Sequence, residues 1–72
     1  MKKFKAGKFY QVVGYKRGID EKVKRRLLEF GFTRGERFMV AYKSFFAGSV
    51  IVELRGFSLS LRTKFLDFLE VK

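Results

Sequence analysis

The side chains best suited to metal binding or acid–base work in this sequence are carboxylates: Asp20, Glu21, Glu29, Glu36, Glu53, Asp67 and Glu70. They stand among 17 lysines and arginines, with no histidine and no cysteine. Transition-metal sites draw on imidazole, thiolate or converging carboxylates, and the missing imidazole is also the commonest general base. Asp20-Glu21 is the one acidic pair, and it is better placed to start a helix than to hold an ion. Ser58 and Ser60 alternate along a strand-like run with no base to activate either hydroxyl. No G-x-x-x-x-G-K-[ST] phosphate loop occurs. The expectation is no catalytic residue, no metal ligand set and no cofactor.

The cations and aromatics offer recognition instead. The formal net charge of +10 favours nucleic acid, an anionic membrane surface or an acidic protein face. Arg25, Arg26 and Arg34 gather around a helix end, where they could meet an acidic partner. The plainer reading is that Arg25 and Arg26 solvate the helix and complement its C-terminus. Phe45 and Phe46 are adjacent in a loop. Either they fold under it as core, or they form an exposed aromatic tip that anchors in a partner. Tyr10, Tyr15 and Tyr42 could stack on bases, but they mostly fall at core-periodic positions, and no RNP-like motif accompanies them.

These groups must be positioned by one small domain, residues 1–72, because the chain has only 72 residues. Ten phenylalanines and three tyrosines make its core dense. Without proline, no turn is built on a proline-fixed φ. The start, Met1-Lys2-Lys3-Phe4-Lys5, resembles a signal-peptide n-region, but Ala6-Gly7-Lys8 interrupts it before any apolar stretch. No run approaches the ~20 apolar residues of a membrane span. The reading is a soluble, cytoplasmic basic domain, with Phe4 as a possible anchor.

Phe9 to Tyr15 is predicted as a first strand, rich in aromatic and β-branched residues. Val23, Leu27 and Phe30 then recur at helical spacing over about residues 21 to 30, with Leu28 widening the stripe. Asp20 is the expected N-cap. Gly31 falls where a left-handed stop belongs, so Phe32 can fold back on Leu27. Thr33 to Glu36 is a turn. Arg37 to Lys43 is a second strand, with Phe38, Val40 and Tyr42 on one face. Ser49 to Arg55 is a third, in which Val50, Val52 and Leu54 alternate with Ile51, Glu53 and Arg55. After Gly56, Phe57, Leu59 and Leu61 alternate with Ser58, Ser60 and Arg62, the cleanest period-two pattern in the chain. A single helical turn over Thr63 to Asp67 and a closing strand over Phe68 to Val71 complete it. The fold class is mainly β: a small, strongly bent barrel of about five strands, with one α-helix inserted after the first. Closure would remove exposed strand edges.

Two stretches carry a resemblance. Arg25-Arg26-Leu27-Leu28-Glu29-Phe30-Gly31-Phe32-Thr33-Arg34-Gly35 looks like R-R-L-x-x-L-G-h-x-x-G. Val50 to Arg62 looks like h-x-h-x-h-x-G-x-x-h-x-L-R. In this order and spacing the sequence resembles the FeoA family of ferrous iron uptake. The resemblance implies an SH3-like barrel working with a FeoB-type membrane permease, whose cytoplasmic part binds GTP. It also implies recruitment by that partner to the inner face of the membrane, where the basic surface could touch anionic lipid. Self-association as a homo-oligomer stays open. The alternative is a nucleic-acid-binding SH3-like barrel. The family often carries P-L-G-D-P before the third strand; here that place reads Phe45-Phe46-Ala47-Gly48-Ser49, with Phe46 at the leucine position. Its E-A pair after L-R-x-x becomes Phe65-Leu66. The expected docking surface is the Phe45–Gly48 loop with the nearby basic helix end, with Phe45, Phe46, Arg25, Arg26 and Arg34 as its candidate residues.

Overall fold

The computed structural model describes residues 4–44 and 48–72. Their elements are β1 (Phe9–Tyr15), α1 (Glu21–Phe30), β2 (Arg37–Ser44), β3 (Ser49–Leu54), β4 (Phe57–Arg62), α2 (Thr63–Leu66) and β5 (Leu69–Val71). The expected five strands and inserted helix are therefore all present.

Capping sets both ends of α1. The Lys22 backbone N–H donates to Asp20 Oδ1 at 2.7 Å, satisfying one orphan donor of the first turn. At the other end Gly31 adopts φ 106°, a left-handed conformation that glycine enters without a Cβ penalty. Its N–H donates to the Leu28 carbonyl at 3.0 Å, and the Phe32 N–H to the Leu27 carbonyl at 2.9 Å. This paired 5→2 and 6→1 pattern is a Schellman stop. It returns Phe32 to the core, where Phe32 and Leu27 are both wholly buried. A Cβ at Gly31 would lie 3.1 Å from Leu54 Cδ2, so the helix end also sits tightly against β3. Leu28, expected to widen the buried stripe, is instead exposed. It is turned about 100° from Leu27 around the helix, which carries it off the narrow face that meets the sheet.

The sheet order is β4-β3-β2-β1-β5, every pair antiparallel. The barrel is bent but not closed. β4 and β5 form its two edges, and the chain passes between them through α2, with Leu66 fully buried beneath the crossing. Two register shifts bend the strands. Val13 is extra in β1 between the Val12–Val71 and Gly14–Glu70 pairs. Ala41 is extra in β2 between the Val40–Val52 and Tyr42–Ile51 pairs. A bulge resets the two-residue alternation. Tyr42 therefore leaves the face of Phe38 and Val40 and becomes exposed, while Lys43 turns partly inward and donates from Nζ to the Phe4 carbonyl at 2.9 Å.

The β3–β4 hairpin turns on Arg55 and Gly56, both at positive φ (55° and 81°), the pattern of a tight two-residue loop. Phe57 pairs with Leu54 but lies beyond the covered part of the sheet, and it is exposed rather than core. Leu61, further along β4, is buried as its alternation predicts. Phe38 is the hub of the aromatic core. It meets Phe32 edge-on at 5.2 Å, Tyr10 at 5.8 Å and Phe4 at 6.0 Å. Phe4 is wholly buried, so it anchors the chain ahead of β1 as the sequence suggests.

Candidate partner-binding surface

Of the residues singled out by sequence, Arg25 and Arg26 line one furrow beside α1, and Arg34 is not among its lining residues. Arg25 and Arg26 are exposed on α1, one turn before its end. The last turn contains no cation, so these arginines do not complement the C-terminal dipole as expected; that effect is confined to the final turn. Arg34 lies elsewhere, in the turn after the helix and against β1, with Nη2 3.7 Å from where a Gly14 Cβ would be. Phe45 and Phe46 lie outside the described residues.

Arg34 belongs to an arrangement around Tyr15. The Tyr15 hydroxyl donates to the Phe32 carbonyl at 2.6 Å, tying β1 to the residue that follows the helix stop. Burial pushes the Tyr15 phenol above its ordinary pKa, and the nearby Arg34 guanidinium pulls it partly back. Lys24 Nζ rests over the same ring, 5.4 Å from its centre. Both cations thus flank a structural tyrosine.

Arg25 and Arg26 instead line a furrow of about 400 Å³ between α1 and α2, with Lys22, Val23, Glu29 and Phe65. Lys22, Arg26 and Glu29 follow one another at four- and three-residue spacing, so they share a helix face. Val23 and Phe65 are half-buried and supply the apolar surface. The Phe65 ring is held edge-on to Phe30 at 6.4 Å, and Arg26 lies over Phe30 at 5.9 Å. Three cations face one carboxylate here, and none of the four forms an ion pair with a described residue. Sequence reasoning placed Arg25 and Arg26 on the helix surface but did not connect them to Phe65. That link depends on how α2 folds back, which no local pattern encodes.

A second, larger furrow of about 710 Å³ runs over the outer sheet near the β3–β4 hairpin. Pairing sets Phe9, Met39, Glu53 and Ser58 in one row across four strands. Phe9 and Phe57, 66% and 70% exposed, supply most of its open apolar surface. Its charges are mixed: Arg37 and Arg55 stand beside Glu53, and Arg55 Nε also pairs with Glu36 Oε1 at 3.2 Å.

The carboxylates remain dispersed; among the described residues no three come close enough to hold a metal ion. Of the tyrosines considered as stacking platforms, Tyr10 packs on Phe4 and Phe38, Tyr15 is bonded to Phe32, and Tyr42 alone is open. Among the described residues no helix is long and apolar enough to cross a membrane.

Comparison with known proteins gives the same fold. A FeoA-like protein from Clostridium acetobutylicum superposes with a TM-score of 0.84 at 26% identity, covering 97% of this chain and 79% of that one. The FeoA protein from Chlorobium tepidum gives 0.79 at 25% identity, over 96% of this chain and 64% of its own. A Pseudomonas aeruginosa protein gives 0.72 at 28% identity, over 99% and 95%. No curated protein sequence matches significantly. The family model described as the FeoA domain matches residues 1–72. The chain belongs to the FeoA domain family, which is associated with ferrous iron transport.

Proposed function

We propose that this chain is a non-enzymatic accessory protein of ferrous iron uptake that binds the cytoplasmic part of a FeoB-type GTPase permease. The observation that carries this reading is the family match over residues 1–72. The exposed cations Arg25 and Arg26 are consistent with it, because they offer an acidic partner a face with few competing carboxylates. Phe46 is the proposed apolar anchor, since it occupies the loop position where the family carries leucine. In this reading the protein works in the cytoplasm. Its partner holds it near the inner leaflet, where the net charge of +10 adds a weak attraction to anionic lipid.

The test is a pull-down of the permease GTPase domain, with and without nucleotide. Wild type should capture it. Phe46→Asp should melt at the wild-type temperature and lose capture. Retained capture with an unchanged melt removes the anchor. Absence of capture by wild type in every nucleotide state removes the partner.

A further inference from the structure

We infer that the furrow between α1 and α2 receives an acidic amphipathic segment of a partner protein, with an apolar side chain on Val23 and Phe65 and carboxylates on Lys22, Arg25 and Arg26. This deepens the functional reading and rests on it only for the identity of the protein that carries the segment.

Charge complementarity selects the occupant. Lys22, Arg25 and Arg26 line the furrow against Glu29 alone, and none of them forms an ion pair with a described carboxylate. The Arg26 guanidinium is steadied over the Phe30 ring, which reduces the side-chain entropy lost when it pairs with a carboxylate. The Phe30–Phe65 edge contact fixes the apolar side in the same way. A small-molecule site would need buried polar groups aimed into the cavity, yet among the described residues no buried side-chain nitrogen or oxygen lacks a partner. A nucleic-acid strand would need successive open ring faces along a cationic track. The furrow offers a single aromatic ring, half-buried and held edge-on to Phe30. A segment with acidic residues on one side and leucine-like residues on the other satisfies both the charge and the apolar floor.

The probe is a labelled short helical peptide with leucines along one face and glutamates elsewhere, titrated by fluorescence anisotropy at physiological salt. Arg25→Glu/Arg26→Glu should weaken binding by about tenfold or more, as loss of clustered interfacial charge does. Arg25→Gln/Arg26→Gln, which adds no like charge beside Glu29, should weaken it less while keeping the wild-type melt. A control peptide with serine for leucine should also lose about tenfold, because the apolar contact is gone. A lysine-for-glutamate peptide should prefer the charge-reversed variant. Equal binding of the serine peptide, indifference to both arginine variants, or tighter salt-resistant binding of a single-stranded oligonucleotide would each overturn the assignment. Capture of the permease GTPase domain separates the two readings. Capture unaffected by the arginine variants keeps the permease and removes the furrow. Peptide binding without permease capture keeps the furrow and removes the permease.

Discussion

The furrow over the outer sheet encloses about 710 Å³ and the one beside α1 about 400 Å³, yet the smaller has the clearer chemical preference. The sheet furrow has the greater exposed aromatic surface, in Phe9 and Phe57. Its arginines are offset by Glu53 and, for Arg55, by the ion pair to Glu36. It is adhesive without favouring a sign of charge. The helix furrow has less apolar surface, but its cations outnumber its carboxylate three to one. Apolar area supplies affinity, whereas complementary charge supplies orientation and exclusion of wrong partners. Cavity size alone would therefore point to the wrong surface for recognising an acidic partner. The open sheet face follows from how strands are built, with residues alternating between core and solvent. The helix face is different, because three cations on a ten-residue helix were placed beside a ring from α2.

The severest way to break this comparison is to remove what both furrows rest on. Phe32 follows the helix stop, is wholly buried and packs edge-on to Phe38, which floors the sheet furrow. Phe32→Ala should cost about 3–5 kcal/mol, the range for truncating a buried phenylalanine. That is a large part of the stability expected of a domain this small. Thermal denaturation should show a collapse of the transition, since each kcal/mol moves Tm by about 4–8 °C at this size. A loss below about 1 kcal/mol would mean that the helix end and the sheet are held by separate cores.

The elements were more legible in the sequence than their relation to one another. β1, α1 and β4 run over the residues that their periodicity implies, because composition, the Asp20 cap and the Gly31 stop are local signals. The bulges were not legible. Val13 and Ala41 are ordinary strand residues, and nothing in their type announces an extra position. One slip at Ala41 was enough to move Tyr42 from the expected core face to solvent. The open edge between β4 and β5 was missed for a similar reason, since closure depends on how far α2 carries the chain. Of the candidate site, Arg25 and Arg26 stand on an exposed face, as a charged helix surface should. The placing of Arg34 against β1, and the nearness of Phe65 to Arg25 and Arg26, come from contacts between residues far apart in sequence.

A narrower change acts on the helix side alone. Asp20→Ala removes the acceptor for the Lys22 N–H and should cost about 1 kcal/mol. Fraying should loosen Lys22 and Val23, the first-turn members of the helix furrow, and leave the outer sheet as it was. Amide exchange should quicken over residues 21–24 and stay unchanged in β3 and β4. Exchange that quickens equally in β3 would show the two furrows to be one cooperative unit, and the contrast between them would lose its meaning.

The smallest effect should come from the larger furrow. Phe57 is 70% exposed, so replacing it removes little buried surface. Phe57→Ser should change stability by no more than about 0.5 kcal/mol, as surface substitutions usually do. The residue opens β4 and its ring stands outside the core, so the hairpin at Arg55-Gly56 has no need of it. Binding of the acidic amphipathic peptide should also be unchanged within about twofold, since no charge facing the helix furrow is altered. If Phe57→Ser abolished peptide binding while the arginine variants did not, exposed aromatic area would outrank charge, and recognition would belong to the outer sheet.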